Sequence, residues 1–425
     1  MIRVIFCIAK YEGSIGEITN ARILYEQLPP DKYECYFLVN DESENYIKNY
    51  LGLATLTVDE VIGKKFDIIV ISDYYPFIRA IVENTYDEKE KEVYEYLFSL
   101  NIPVFVIDIL GLYNNWRSKD PKYACILSKF CLKPYIPQCN PIICHPVKFQ
   151  ILYPCPPHHP FPERNSNCNY LPLYPLTMGG HPTKDSKIKR ADSKLIFMTI
   201  SNWEYKLFKK HEKSIYFFIL EKLLVHYLLQ LNKKIDLLIV SPIPFYFSYS
   251  IDNISVKHIL ITPQNIMPLK EYEKLFLAAD LIITSNIIQS TFIRAIHNGI
   301  PGINLTSSIP VKDKDKENYK LMPHFILNSF TSELLDIMEA TSPYISSEIN
   351  QTYSHEFFLF KRTPVYQHLF STSEIFDEKR MVSLIYKYLY DEKTKQQFIK
   401  MHENYVKSIN ELPNAQKIIE SVLNR

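Results

Sequence analysis

The run KEYEKLFLAADLIITSNIIQSTFIRAIHNGIPGINL, Lys270 to Leu305, leaves the chain few architectures to choose from. Tyr272, Leu275, Phe276 and Ala279 recur at helical spacing, and Leu281, Ile282 and Ile283 then form a short run of strand type. Beyond the polar Thr284, Ser285 and Asn286, a second helical pattern through Phe292, Ile293, Ala295 and Ile296 stops at Asn298-Gly299, with Pro301 following. That is the expected punctuation of a helix end. A further apolar run leads to Asn304. Helix, strand, polar loop, helix, glycine stop, strand is the order of a parallel α/β sheet, in which a ligand sits where a strand gives way to the next helix.

The stretch resembles the donor-binding end of GT-B glycosyltransferases, above all the C-terminal signature of nucleotide-sugar transferases of the UGT and MurG type. Ile261-Thr262-Pro263-Gln264 is similar to that family's Trp-x-Pro-Gln turn at the nucleobase, and Gly299-Ile300-Pro301 stand where it has Gly-Val-Pro. In that register the resemblance places Gln264 at the base and Asn286 on the diphosphate-binding His. It places Ser290 and Thr291 on an Asn-Ser pair, and Arg294 on the glutamate that grips the donor ribose. Ile287 and Ile288 replace the small residues that let backbone approach the diphosphate. Arginine for glutamate reverses the charge, but a guanidinium is a good bidentate partner for phosphate. Arg294 is therefore expected to steady a leaving diphosphate; the plainer reading makes it a solvated helix residue.

The 425 residues suit two domains. Lys and Arg number 48 against 47 Asp and Glu, a balance that points to neither nucleic acid nor an anionic membrane surface. No run reaches the roughly eighteen uninterrupted apolar residues of a transmembrane helix. Met1 to Ala9, cut by Lys10, is too short for a signal peptide, so a cytoplasmic protein is expected. Of the nine glycines, Gly13, Gly16, Gly299 and Gly302 fall in or beside the two loops read as functional, and no G-x-G-x-x-G or Walker sequence occurs. Tyrosine is abundant. Its rings stack well on sugars and bases, but core and interdomain packing accounts for most of them.

In chain order, Ile2 to Ile8 reads as an opening strand. Gly13-Ser14-Ile15-Gly16-Glu17 leads into a helix with Ile18, Ala21, Leu24, Tyr25 and Leu28 on one face, ended by Pro29-Pro30. Ser14 and Glu17 have capping-box spacing. Glu17 also stands where many GT-B transferases carry the His that takes the acceptor proton, and a carboxylate partly desolvated in a cleft can do the same; both roles stay open. Strand patterns follow at Tyr36 to Val39, Phe66 to Ser72 and Ile102 to Ile107, with a charged helix at Glu88 to Leu100. Tyr74 and Tyr75 come directly after the second of these strands. Asp108 closes the third and is a candidate for orienting the base or the acceptor, against the alternative of a helix cap or loop aspartate. The alternation implies βαβ units and a parallel sheet.

Cys125, Cys131, Cys139, Cys144, Cys155 and Cys168 lie in a proline-rich stretch without paired Cys-x-x-Cys spacing. Free thiols in a reducing compartment fit better than a zinc site, and no metal is expected. Leu195 to Ile200 opens the second domain, and its loop carries Ser201, Asn202 and Trp203. The resemblance makes Ser201 and Asn202 candidates at the donor phosphates, with Trp203 closing the site or plugging a seam. Strands are expected at Ile235 to Val240, His258 to Thr262 and His324 to Ser329, and helices at Tyr216 to Leu231, Ser332 to Ala340, Glu378 to Tyr390 and Lys393 to Ser408.

The fold expected is α/β, two Rossmann-like domains facing a central cleft in the GT-B architecture. Residues 1–165 would form the acceptor domain, 166–190 a linker, 191–365 the donor domain, and 366–425 terminal helices that in GT-B folds often pack back onto the first domain. The resemblance implies a metal-independent glycosyltransferase with a nucleotide sugar as co-substrate, a small-molecule acceptor and no further cofactor. Two alternatives stand beside it: a sugar-nucleotide epimerase, and a repurposed GT-B-like protein that binds another anion or activates a partner enzyme. A homodimer is also compatible with the sequence.

Overall fold

Val4–Cys7, Ile68–Ile71 and Val104–Ile107 are apolar and buried at every position, as strands must be when both faces of a parallel sheet are covered. The computed structural model describes residues 1–8, 15–39, 44, 46–73, 77, 86–107, 149–154, 170–173, 190–201, 205, 215–243, 247–262, 267–285, 289–306 and 366–424, and elements are numbered over these. The chain divides into two units, Met1–Met178 with Lys407–Arg425, and Gly179–Val406.

The first unit contains β1 (Ile2–Cys7), α1 (Ile15–Glu26), β2 (Tyr33–Leu38), β3 (Thr55–Leu56), α2 (Val58–Val61), β4 (Ile68–Ile71), α3 (Glu88–Ser99), β5 (Val104–Ile107), β6 (Phe149–Pro154) and β7 (Tyr170–Leu173). Its sheet runs β3-β2-β1-β4-β5-β6-β7 with every pair parallel. A reciprocal cap starts α3: Asp87 accepts from the Glu90 N–H at 2.9 Å, and Glu90 accepts from the Asp87 N–H at 2.9 Å. The helix then buries Val93, Tyr94, Leu97 and Phe98 in one cluster with Ile69, Ile71, Val104 and Val106. Inside the segment read above as linker, Tyr170–Leu173 is the edge strand of this sheet, paired with β6 from Ile151↔Tyr170 to Pro154↔Leu173. Pro172 obscured it in the sequence, and an edge position is where a sheet tolerates proline.

The second unit contains β8 (Lys194–Thr199), α4 (Ile215–Leu229), β9 (Ile235–Ser241), β10 (Tyr249–Ile251), β11 (Ile254–Leu260), α5 (Leu269–Leu277), β12 (Leu281–Thr284), α6 (Ser290–His297), β13 (Gly302–Thr306), β14 (Phe370–Glu374) and α7 (Glu378–Tyr390). Helix α8 (Glu392–Asn410) carries the chain onward, and α9 (Ala415–Leu423) ends it. The sheet order is β10-β11-β9-β8-β12-β13-β14, parallel except for the β10–β11 hairpin. Strand β14 lies in the segment expected to be all helical. FSTSE has no apolar run to betray it, and its place is set by backbone pairing with β13, Gly302↔Phe370 to Thr306↔Glu374.

A buried carboxylate fixes the entry to this unit. Asp236, on β9, accepts from the Arg190 N–H and Nε–H at 2.7 Å each and from the Ser193 hydroxyl at 2.6 Å. At the other end of the chain, α9 belongs with the first unit. Gln27 Oε1 accepts from the Ala415 N–H at 2.9 Å, Lys32 pairs with Glu420 at 3.4 Å, and the helix lies against β7. No helix among the described residues is long and apolar enough to cross a membrane.

Helix α6 lies so close on β13 that a side chain at Gly302 has no room: a Cβ there would sit 2.6 Å from Phe292 Cε2 and 2.6 Å from Ile296 Cδ1. The Phe292 ring is fully buried and cannot swing away. Gly302→Ala is expected to lower stability by about 1–3 kcal/mol through overpacking, read as a shifted denaturant midpoint; a neutral result would show that α6 is free to lift.

Candidate functional site at the strand ends

Each sheet has one point where the strand order reverses. In the first, β1 is followed by β2 and β3 on one flank while β4 returns on the other; in the second, β9 lies on one flank of β8 and β12 on the other. Ligands of open α/β sheets bind beyond the carboxyl ends of the strands at such points.

In the first unit these ends are Cys7 of β1 with Ile8 after it, and Ser72 and Asp73 after β4, tied by the Ser72 N–H donating to the Cys7 carbonyl at 3.0 Å. Asp73 is a buried carboxylate at the reversal point, a residue to which the sequence reading gave no role. Its signal was there: an acid one residue past an apolar run, much as Asp108 follows the next. Glu17 is the third residue of α1, the helix that follows β1. Asp108, Tyr74 and Tyr75 lie outside the described residues.

In the second unit the reversal point is lined by polar groups that are almost all buried. Thr199 ends β8, Thr284 ends β12, and Ser285, Gln289 and Thr291 continue toward α6. Gln289 occupies the N-cap position of α6 without capping it. Its Oε1 accepts from the Thr284 hydroxyl at 3.1 Å, and its Nε2 donates to the Thr199 carbonyl at 3.4 Å. The Tyr272 hydroxyl, from α5, lies 3.1 Å from Thr199 Oγ1 and 2.9 Å from Thr291 Oγ1. Burial raises the pKa of Tyr272, opposed by its bonds to Thr199 and Thr291 and by the charge of Arg294, so the phenol stays protonated. The first backbone N–H groups of a helix have no intrahelical acceptor. In α6 the Ile293 N–H, the fourth of the helix, donates to the Gln289 carbonyl at 3.1 Å.

Arg294 is not a solvated helix residue: it is 6% exposed. Its Nη2 pairs with Glu273 of α5, its guanidinium lies over the Phe276 ring at 5.3 Å, and its buried Nε has no partner among the described residues. Glu273 went unnoticed because a glutamate on a charged helix, KEYEK, reads as surface. Of the remaining expected residues, Ser290 is the first residue of α6 and half-buried, and Ser201 follows β8 with its carbonyl accepting from the Tyr205 N–H at 3.0 Å. Asn202, Gln264 and Asn286 lie outside the described residues, as do Cys125, Cys131, Cys139, Cys144, Cys155 and Cys168. Among the described residues no group of three or more His, Cys, Asp or Glu side chains is placed to hold a metal ion.

Past the carboxyl end of α6, Gly299 has φ 81°, and a Cβ there would meet the His402 ring at 3.3 Å. His402 Nε2 lies 2.8 Å from the His297 carbonyl, and the buried His297 ring meets Tyr405 edge-on at 5.8 Å. Burial, with His402 as a second cause, pushes the His297 pKa down to about 4.

Residues 24–425 match the model of a family whose description is "Family of unknown function (DUF6365)". No curated protein matches. Among solved structures, the chain is similar to the spinosyn forosaminyltransferase SpnP, 13% identical, over 100% of this chain and 98% of that one, with a TM-score of 0.52. Others include the glycosyltransferase SnogD from Streptomyces nogalater, 10% identical over 99% of each chain at TM-score 0.48. A putative UDP-N-acetylglucosamine 2-epimerase from Listeria monocytogenes is 10% identical over 92% of this chain and 97% of that one at TM-score 0.40. The likeness to SpnP shows the fold: two Rossmann-like domains of GT-B type.

Proposed function

The chain belongs to the DUF6365 family, and within that family we propose that it is a metal-independent GT-B glycosyltransferase, moving a sugar from a nucleotide-sugar donor to a small-molecule acceptor. What carries the reading is the reversal point of the second sheet, where the amino end of α6 and Ser290 follow β12. A helix amino end offers backbone N–H groups and positive potential to a diphosphate. A full-length likeness to a sugar transferase, SpnP, supports it at the level of the fold.

In this reading Glu17 takes the acceptor proton and Asp108 orients it. The acceptor oxygen forms a bond to the anomeric carbon as the bond to the diphosphate breaks, and the electron pair leaves with the diphosphate. Ser201, Asn202, Asn286, Ser290 and Thr291 surround the phosphates, and Gln264 meets the base. Arg294, one turn along the same helix and paired with Glu273, steadies the leaving diphosphate.

One observation favours a second reading, a repurposed protein that binds a different anion: Arg294 is already neutralised by Glu273. A panel of nucleoside diphosphates, nucleotide sugars, inorganic phosphate and pyrophosphate, followed by thermal unfolding, separates the two. A donor at a hundred times its Kd should add about 2.7 kcal/mol to stability. No shift across the panel would sink the transferase reading, and a shift from a non-nucleotide anion alone would establish the second.

A further inference from the structure

The polar network across the β8–β12 reversal point has a direction. Tyr272 has one hydroxyl proton. When it goes to Thr199 Oγ1 at 3.1 Å, the Thr291 hydroxyl, at 2.9 Å, must donate its own to Tyr272. Thr284 likewise donates to Gln289, whose amide donates to the Thr199 carbonyl. Both chains of bonds run toward the end of β8, one from the first turn of α6 and one from the end of β12 through the residue that precedes α6. Gln289 and Thr291 are each more than nine-tenths buried, so neither bond competes freely with water. The Tyr272 ring is held independently, edge-on to Phe197 at 6.1 Å and to Phe276 at 5.7 Å. Its hydroxyl can therefore be removed without removing the packing.

Two features follow. Thr291 spends its hydroxyl proton inside the protein, so toward an anion it offers its backbone N–H. Gln289, standing where a cap would be, turns its side chain to the sheet and leaves the amide end of α6 uncapped by it.

We propose that Tyr272 and Gln289 are positioning residues that brace the amino end of α6 across the reversal point, fixing the aim of the Ser290 and Thr291 amides at a diphosphate. The inference rests on the reading of this end as the diphosphate end. It differs from a purely structural role because a small rotation of α6 spoils the aim of its amides while changing stability little.

The test uses the full chain with uridine diphosphate and, as a probe without a nucleoside, inorganic pyrophosphate. Tyr272→Phe and Gln289→Met are compared with the wild type and with Tyr227→Phe. The last loses a buried bond of the same kind, Tyr227 hydroxyl to the Ile375 carbonyl at 2.6 Å, in the same unit but beyond β14. Tyr272→Phe and Gln289→Met should each weaken both probes about tenfold or more, while Tyr227→Phe binds like the wild type at a comparable loss of stability. Binding within about twofold of wild type in Tyr272→Phe and Gln289→Met, or equal weakening in Tyr227→Phe, would overturn the positioning role and leave the transferase reading standing. A wild type that binds neither probe overturns both.

Discussion

Asp236→Ala lowers the stability of the second unit by about 3–5 kcal/mol, the range for breaking a buried ion pair from one side. Asp236 is fully buried on β9 and accepts three bonds, two from Arg190 and one from Ser193. Removing it strands the Arg190 N–H, while the Ser193 hydroxyl keeps the Arg190 carbonyl at 2.8 Å as an acceptor. The Arg190 side chain, 37% exposed, recovers part of its solvation, which argues for the lower half of the range. Its Nη2 also donates to the carbonyls of Ile235 and Asn253 at 2.9 and 2.8 Å, so the loss extends to the segment that leads into β8. Urea unfolding should show a lower midpoint at unchanged slope. A loss below about 1 kcal/mol would mean that the Arg190 segment is dispensable to the fold.

The second large effect is on acid stability. His297 is buried as the neutral imidazole, with a pKa near 4 against 6.5 in an unfolded chain. Between those values the unfolded state binds the proton and the folded state does not, so stability is fully present above about pH 6.5 and is lost as the pH falls toward 4. A difference of 2.5 units corresponds to about 3 kcal/mol. His402 Nε2 reaches the His297 carbonyl, the Tyr405 ring meets the His297 ring edge-on, and His368 lies 6.4 Å from the Tyr405 ring. His297→Leu should flatten the dependence between pH 6.5 and 4 relative to wild type, measured by chemical denaturation at a series of pH values. Parallel curves for the two proteins would show that another group carries the acid sensitivity.

Much of this fold was legible because parallel strands buried on both faces write themselves as unbroken apolar runs. Ile2–Cys7, Ile68–Ile71, Val104–Ile107, Lys194–Thr199, Ile235–Ser241 and Leu281–Thr284 could each be read from the sequence, as could the Asn298-Gly299 stop of α6. Strands held mainly by a neighbour's backbone could not: β7 contains a proline, and β14 is FSTSE. The site was legible in position and much less so in bonding. Arg294 was found by register, but its partner Glu273 sits 21 residues away on a helix that looks like surface. Thr199 and Tyr272 are 73 residues apart, and sequence spacing says nothing of a bond that forms where α5 meets the end of β8.

The return of α9 to the first unit bears on how this protein is made. The Ala415 N–H of α9 reaches the Gln27 side chain across 388 residues of chain, so on the ribosome this bond, and the contact of α9 with β7, can form only after the strands of the second unit have been synthesised. The first unit therefore gains its contacts with α9 only after the sheet of the second unit has been made. Translation thus leaves one set of contacts of the first sheet open until the second sheet has left the ribosome.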